Sequence, residues 1–370
     1  MNINSIKTCT SLEENTYVEI KKSRKFFMFL LFSMVFLLFL SVILAVTFGS
    51  VNLSSYDAYR IIIYNAFHIP IGDISTLING TSYDIIWQIR LPRVLLGAVV
   101  GMGLSIVGVV MQASVQNPLA DPYILGLSSG ASLGATFCIL FGFSGVFLVS
   151  GITFWAFAGA LLSSILVYTL SKLGGSITST KLILSGMIVS SICSAFTSLI
   201  IFISNNAEGM KTVTFWMMGS LASASWQNVK LPMLIILLAV IFFTFQFRIL
   251  NTMLLGEETS VTLGVDLARY RKIYMILSSL VTGVIVSVCG IIGFVGLMIP
   301  HIVRLMVGSN HKKLIPISAV LGAIFLIWTD VVARTYMKGM EMPIGIITSI
   351  IGSPFLMWLM IKKSYRIGGK

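Results

Sequence analysis

Two arginines three apart in RLPR, Arg90 and Arg93, and an acid and an arginine four apart in DVVAR, Asp330 and Arg334, are charged groups lying at or inside apolar stretches. Arginines at the mouth of an apolar run snorkel to lipid headgroups. Asp330 is a rare acid in apolar sequence, which either lines a path or pairs internally. The spacing puts Arg334 one helical turn away and favours the pair. His68, His301 and His311 lie far apart, and Cys9, Cys138, Cys193 and Cys289 show no ligand spacing. No metal site and no disulfide framework is expected, so any metal cargo arrives already chelated. There is no HExxH and no GxxxxGK[ST] phosphate loop. No catalytic residue is expected in this chain, and energy must come from another polypeptide.

These groups sit in a chain of 370 residues that is 56% hydrophobic and 10% charged, with a mean hydropathy of +0.97. Soluble domains are about a quarter charged, so the bilayer is this chain's solvent. The net charge of +12 comes in short basic clusters between apolar runs, which suits membrane orientation and not nucleic-acid binding. Apolar runs fall near 26–48, 93–113, 124–143, 151–171, 182–204, 231–248, 273–290, 291–307, 314–331 and 344–361, which predicts about ten transmembrane helices. The first run carries no charge and outlasts the roughly 7–15 apolar residues of a signal peptide, so it reads as an anchor. The stretch 273–307 exceeds one span and is divided at Gly290, Gly293, Gly296 and Pro300. Lys21, Lys22, Arg24, Lys25, Lys172, Lys181, Arg269, Arg271, Lys272, Lys312, Lys313, Lys362 and Lys363 fall on one side of the resulting alternation. The positive-inside rule then places both termini in the cytoplasm, leaving 1–25 and 363–370 as cytoplasmic tails.

Two loops are long enough to matter. In the outer loop, 49–88, Tyr56, Tyr59, Ile63 and Phe67 recur at helical spacing, as an interfacial helix requires. The inner loop, 251–272, mixes acids with small apolar residues, and Gly256 and Gly264 break it into two short helices suited to docking. NPLADP, 117–122, reads as a turn with Asp121 unpaired, and Ser179 and Thr180 read as a helix start. Trp216, Met217 and Met218 before Gly219 suit interfacial anchors. Small residues four apart, Gly97 with Gly101 and Gly126 with Gly130 and Gly134, suit close helix packing.

The segment RLPRVLLGAVVGMGLSIVGVVMQASVQNPLADPYILGLSSGASLGA, followed in order by KLILSG, WMMGSLA, GEETSVTLGVD, GFVGLMIPHIVRLMVG and EMPIGIITSIIGSPFLMWL, resembles the iron-siderophore, haem and cobalamin (FecCD-type) family of ABC importer permeases. The resemblance spans roughly 26–362, which it makes a transmembrane permease domain of an all-α polytopic protein, the type II ABC importer permease fold. It implies a second permease subunit, identical or related, two cytoplasmic ATPase subunits that use ATP and Mg, and an extracytoplasmic binding lipoprotein or periplasmic protein. It also implies a place in the inner membrane. Its docking motif falls on Leu255, Gly256, Glu257, Glu258, Val261, Leu263 and Gly264, and its binding-protein contacts on Arg90, Arg93 and Arg334. Its gates fall on Ser179 and Thr180 inside and on Met217, Met218 and Gly219 outside. An ion-coupled secondary transporter is the alternative, disfavoured because mid-span ionisable residues are nearly absent.

Overall fold

The structure, a computed structural model, describes the chain except residues 1–2, 50, 52, 73–76, 78–79, 122, 124–125, 144–150, 174–177, 257–259, 261, 338–339 and 365–370, and the side chains of 3–24, 179 and 363–364. Among the described residues every regular element is helical. In chain order they are α1 (Ile3–Thr47), α2 (Ser55–Phe67), α3 (Leu91–Ser114), α4 (Leu127–Phe141), α5 (Gly151–Lys172), α6 (Ser179–Ser204) and α7 (Ala207–Met217). Then follow α8 (Trp226–Phe245), α9 (Phe247–Met253), α10 (Leu267–Cys289), α11 (Val295–Val307), α12 (His311–Thr335) and α13 (Ile344–Ser364). A π-helical stretch, Asp84–Arg90, runs directly into α3.

Among the described residues eight helices are long and apolar enough to cross a membrane, and α4 and α11 are shorter apolar helices, which together match the ten expected runs. The division of the long run is visible as irregular chain at 290–294, where Gly290 and Phe294 take φ of 70° and 69°. A left-handed φ is easy for glycine and strained for phenylalanine, so packing holds Phe294 there. The notch is Gly352 of α13, where any Cβ would collide with the Phe294 side chain.

Helix α3 is the axis of the bundle. Its span is 89% buried, against 17% for α1 and 22% for α5, α6 and α8. It packs on α12, α8, α10 and α11, while α4 packs on α5 and α6. Hydrocarbon gives helices no hydrophobic reason to associate, so close backbone approach must supply the attraction. Gly101 lies on the Gly322 carbonyl of α12, and Gly108 on the Gly296 carbonyl of α11. A Cβ at either glycine has no room. Gly130 and Gly134 approach α5 in the same way, whereas Gly126 serves a left-handed turn.

Helix α2 turns Ala58 and Ile61 inward and leaves Tyr56 and Phe67 of its aromatic stripe on the outer face of the subunit. The cap of α6 is Thr178, whose hydroxyl accepts from the Lys181 N–H at 3.3 Å, one residue before the expected Ser179.

Candidate functional site

At the end of the bundle opposite the basic tails, α7 closes with Met217 and the chain reverses at Gly219, φ 75°. Backbone hydrogen bonds join three segments there. Ser220 N–H donates to the Cys289 carbonyl at 2.8 Å, Ile344 N–H to Gly219 at 3.0 Å, and Gly345 N–H to Met218 at 3.1 Å. A cavity of about 470 Å³ opens beside them, lined by Met217, Met218, Ile291, Gly293, Gly345 and Ile346 among others. Its walls are thioether, aliphatic and backbone, with one hydroxyl, that of Ser349, which suits a bulky, mostly apolar surface more than a free ion. The expected outer-gate residues therefore lie together with the 290–294 break. Ser179 and Thr180 are not part of this site: they begin α6, whose 26 residues span roughly 39 Å before α7. Thr180 is exposed, and the side chain of Ser179 lies outside the described residues.

The three arginines lie at the same end but point inward. Arg90, Arg93 and Arg334 are 4%, 6% and 6% exposed, so within this subunit their side chains turn away from the surface. Arg90 donates to the carbonyls of Val46, Thr47 and Val51 at 2.6–3.1 Å, closing the C-terminus of α1, whose last carbonyls have no helical partner. Arg93 pairs with Asp330 and with Glu341, both at 2.9 Å. Arg334 pairs with Asp330 at 3.4 Å, as its spacing predicts, and donates to the Ala45 carbonyl at 2.7 Å. Asp330 is 1% exposed and its carboxylate faces two guanidinium groups, the arrangement that makes a buried acid tolerable. Sequence reasoning missed two of these pairings, Arg93 with Asp330 and Arg93 with Glu341, the latter 248 residues away on a half-exposed loop.

At the basic end, the 254–266 loop has the opposite character. Leu254, Leu255 and Leu263 are 48%, 57% and 60% exposed. Gly256 and Gly264 take φ of 93° and 74°, so the chain turns where the sequence placed its breaks. Glu257, Glu258 and Val261 lie outside the described residues. The root of the loop is firmly held. Gln116 donates to the Met253 carbonyl at 2.7 Å, Arg271 to the Ser114 carbonyl at 3.0 Å, and Ser260 Oγ is within bonding distance of the Thr252 and Gly256 carbonyls. Asn251 meets His311. Sequence reasoning assigned no role to Gln116, Asn251 or His311, and counted Arg271 only as an orienting charge.

The NPLADP turn packs beneath the break. Asp121 accepts from the Tyr123 N–H at 2.8 Å, so it is not unpartnered, and desolvation pushes its carboxyl up to about 6. Tyr123 Oη bonds the Ile292 carbonyl at 3.1 Å, and His301 Nε2 lies 2.9 Å from the Pro118 carbonyl. Both contacts tie 117–126 to the α10–α11 segment. Among the described residues no group of three His, Cys, Asp or Glu is placed to hold a metal ion.

With this geometry in view, the chain was compared with known proteins. The model of the FecCD transport family matches residues 37–362. The hemin transport system permease of Yersinia pestis is 36% identical over 342 residues, covering 90% of this chain and 96% of that one. The cobalamin import system permease of Halobacterium salinarum is 39% identical over 286 residues, covering 77% and 76%. A solved ABC transporter of metal-chelate type, in an inward-facing conformation, superposes with a TM-score of 0.74 at 33% identity, over 90% of this chain and 98% of that chain.

Proposed function

The chain belongs to the FecCD transport family, and from that premise we propose that it carries an iron chelate, a siderophore or a related haem or cobalamin compound, from an extracytoplasmic binding protein across the inner membrane into the cytoplasm. It is a multi-pass membrane permease, and permeases of this kind work with ATPase subunits and binding proteins. In our reading two cytoplasmic ATPases hold the ATP and Mg, and a second permease copy or a related chain completes the path. The chain itself binds no cofactor and performs no covalent chemistry.

The observation that carries this reading is the 254–266 loop. It presents Leu254, Leu255 and Leu263 at the end where the basic tails lie, and a bilayer does not cover a loop between two such spans. Its acids disfavour rest on an anionic leaflet, so a groove in the ATPase is the fitting cover. The loop is thus the coupling element, with Leu255, Gly256, Glu257, Glu258, Val261, Leu263 and Gly264 at the contact. Met217, Met218 and Gly219, beside the apolar cavity, serve as the outer gate, and Ser179 and Thr180 as the inner one. The ion-coupled alternative loses ground because Asp330 is already paired with Arg93 and Arg334.

The test is uptake of radio-iron ferric hydroxamate, haemin and cyanocobalamin by vesicles holding the full importer. ATP-dependent uptake of one of the three, with a co-purifying ATPase, is expected. Uptake that proceeds without nucleotide and follows an ion gradient would reject the reading.

A further inference from the structure

The short helix α9 and the start of α12 are held by a compact set of polar contacts. Asn251 Oδ1 accepts from the backbone N–H of His311 at 2.9 Å and lies 2.8 Å from Nδ1 of the same residue. A carboxamide oxygen only accepts, so the ring proton sits on Nδ1. Asn251 Nδ2 donates to Asn310 Oδ1 at 3.2 Å, and that oxygen also accepts from the Lys312 N–H at 3.0 Å, capping α12. His311 is 1% exposed and Asn251 is partly exposed, so the contact is partly shielded from solvent. One side chain thus ties the helix that precedes the exposed loop to the first residue of a 25-residue helix.

The far end of that helix is equally fixed. Asp330, 19 residues beyond His311 and roughly 28 Å along the axis, holds Arg93, and Arg334 holds the Ala45 carbonyl. Pro316 lies in α12 five residues beyond His311, between the Asn251 contact and Asp330, and the helix continues through it to Thr335. The loop has a second exit, directly into α10 through the Asp266 cap, but that route runs along one chain segment. The Asn251 route crosses to another helix.

We propose that the Asn251–His311 contact is the joint through which movement of the 254–266 loop is passed to α12, and so to the charged cluster at the opposite end. Asn251 and His311 are positioning residues for transport: they touch neither cargo nor nucleotide. The joint rests on the reading of the loop as the coupling element. Two hydrogen bonds converging on one oxygen make it stiff, so it moves as one body and does not open during the cycle.

The experiment uses the full importer in phospholipid vesicles with trapped ATP, and reads both retention of the ATPase subunit and chelate taken up per ATP hydrolysed, with radio-iron ferric hydroxamate, haemin and cyanocobalamin as probes. Asn251→Ala and His311→Ala should retain the ATPase and its hydrolysis yet move about tenfold less chelate per ATP, the size of a typical coupling between sites. His311→Asn, whose carboxamide N–H is carried on Cγ as the Nδ1–H is, should recover most of the ratio, which general weakening of the fold would not allow. A disulfide between cysteines at 251 and 311 should leave uptake intact, and it answers the question even if the alanine variants assemble poorly. An unchanged ratio in both alanine variants, or uptake blocked by the disulfide and restored by reductant, would overturn the joint. Leu263→Asp separates the two ideas. If it releases the ATPase while the joint variants behave as wild type, only the joint fails; if it retains the ATPase, the coupling reading fails and takes the joint with it.

Discussion

The two ends of this subunit handle polar and apolar groups in opposite ways. At the end opposite the tails, three arginines and two acids are spent on one another and on the carbonyls closing α1, with the guanidinium groups 4–6% exposed. At the basic end, the polar groups are used to hold the root of a loop whose leucines stay uncovered. A charge already bonded inside the subunit has little left to offer a partner, whereas an exposed leucine away from lipid has everything still to gain. The two ends thus differ in how far their polar and apolar groups are already satisfied within the subunit.

The comparison breaks most visibly at Asp330. Asp330→Ala strands Arg93 and Arg334 in a buried site, with an expected loss of about 3–5 kcal/mol of stability, read as a large fall in thermal midpoint of the purified protein. A midpoint unmoved within error would mean that the cluster is solvated and available to partners after all. Next in size, Leu263→Asp should leave that midpoint unchanged, because Leu263 is 60% exposed, yet weaken ATPase retention tenfold or more at about 1.4 kcal/mol per decade. Loss of both together would make the leucine part of the subunit's own packing.

Asp121 sharpens the contrast through pH. Its folded pKa is raised from 3.8 to about 6, so the folded state binds the proton more tightly than the unfolded one. This contribution is fully present below pH 4 and is lost as pH rises through 6. Asp121→Asn should flatten that fall by roughly 2 kcal/mol, less than the whole shift because the residue is partly exposed, as measured by unfolding midpoints between pH 4 and 7. A parallel pH profile in the two proteins would show that Asp121 is solvated like an ordinary carboxylate. The smallest effect belongs to Glu341→Gln. That carboxylate is 52% exposed, and its removal should cost 1 kcal/mol or about that at most, with a dependence on salt that Asp330→Ala lacks.

The spans were legible because hydropathy and length alone decide them, and the 290–294 break because Gly290 and Gly293 interrupt an apolar run too long for one helix. The Asp330–Arg334 pair was legible from a four-residue spacing. Its third member was not, since Arg93 is 237 residues from Asp330 and only the packing of α3 on α12 brings them together. The same holds for Asn251 and His311, 60 residues apart, and for Gln116 on the Met253 carbonyl. Local pattern also failed where two choices differ by one position: Thr178 caps α6 in place of Ser179.

The brevity of α11 bears on how the protein is made. Thirteen residues at 1.5 Å each cover about 20 Å, well short of a hydrocarbon core of about 30 Å, so this segment does not partition into the bilayer on its own apolar content. It follows the α10 segment through a five-residue bend and rests on Gly108 of α3 through its Gly296 carbonyl. During synthesis α10 and α11 must therefore enter the membrane as one hairpin and wait on an α3 that is already there. Residence of α11 in the bilayer is a property acquired by assembly, and a nascent chain with a bulky residue at Gly108 would have nowhere to seat it.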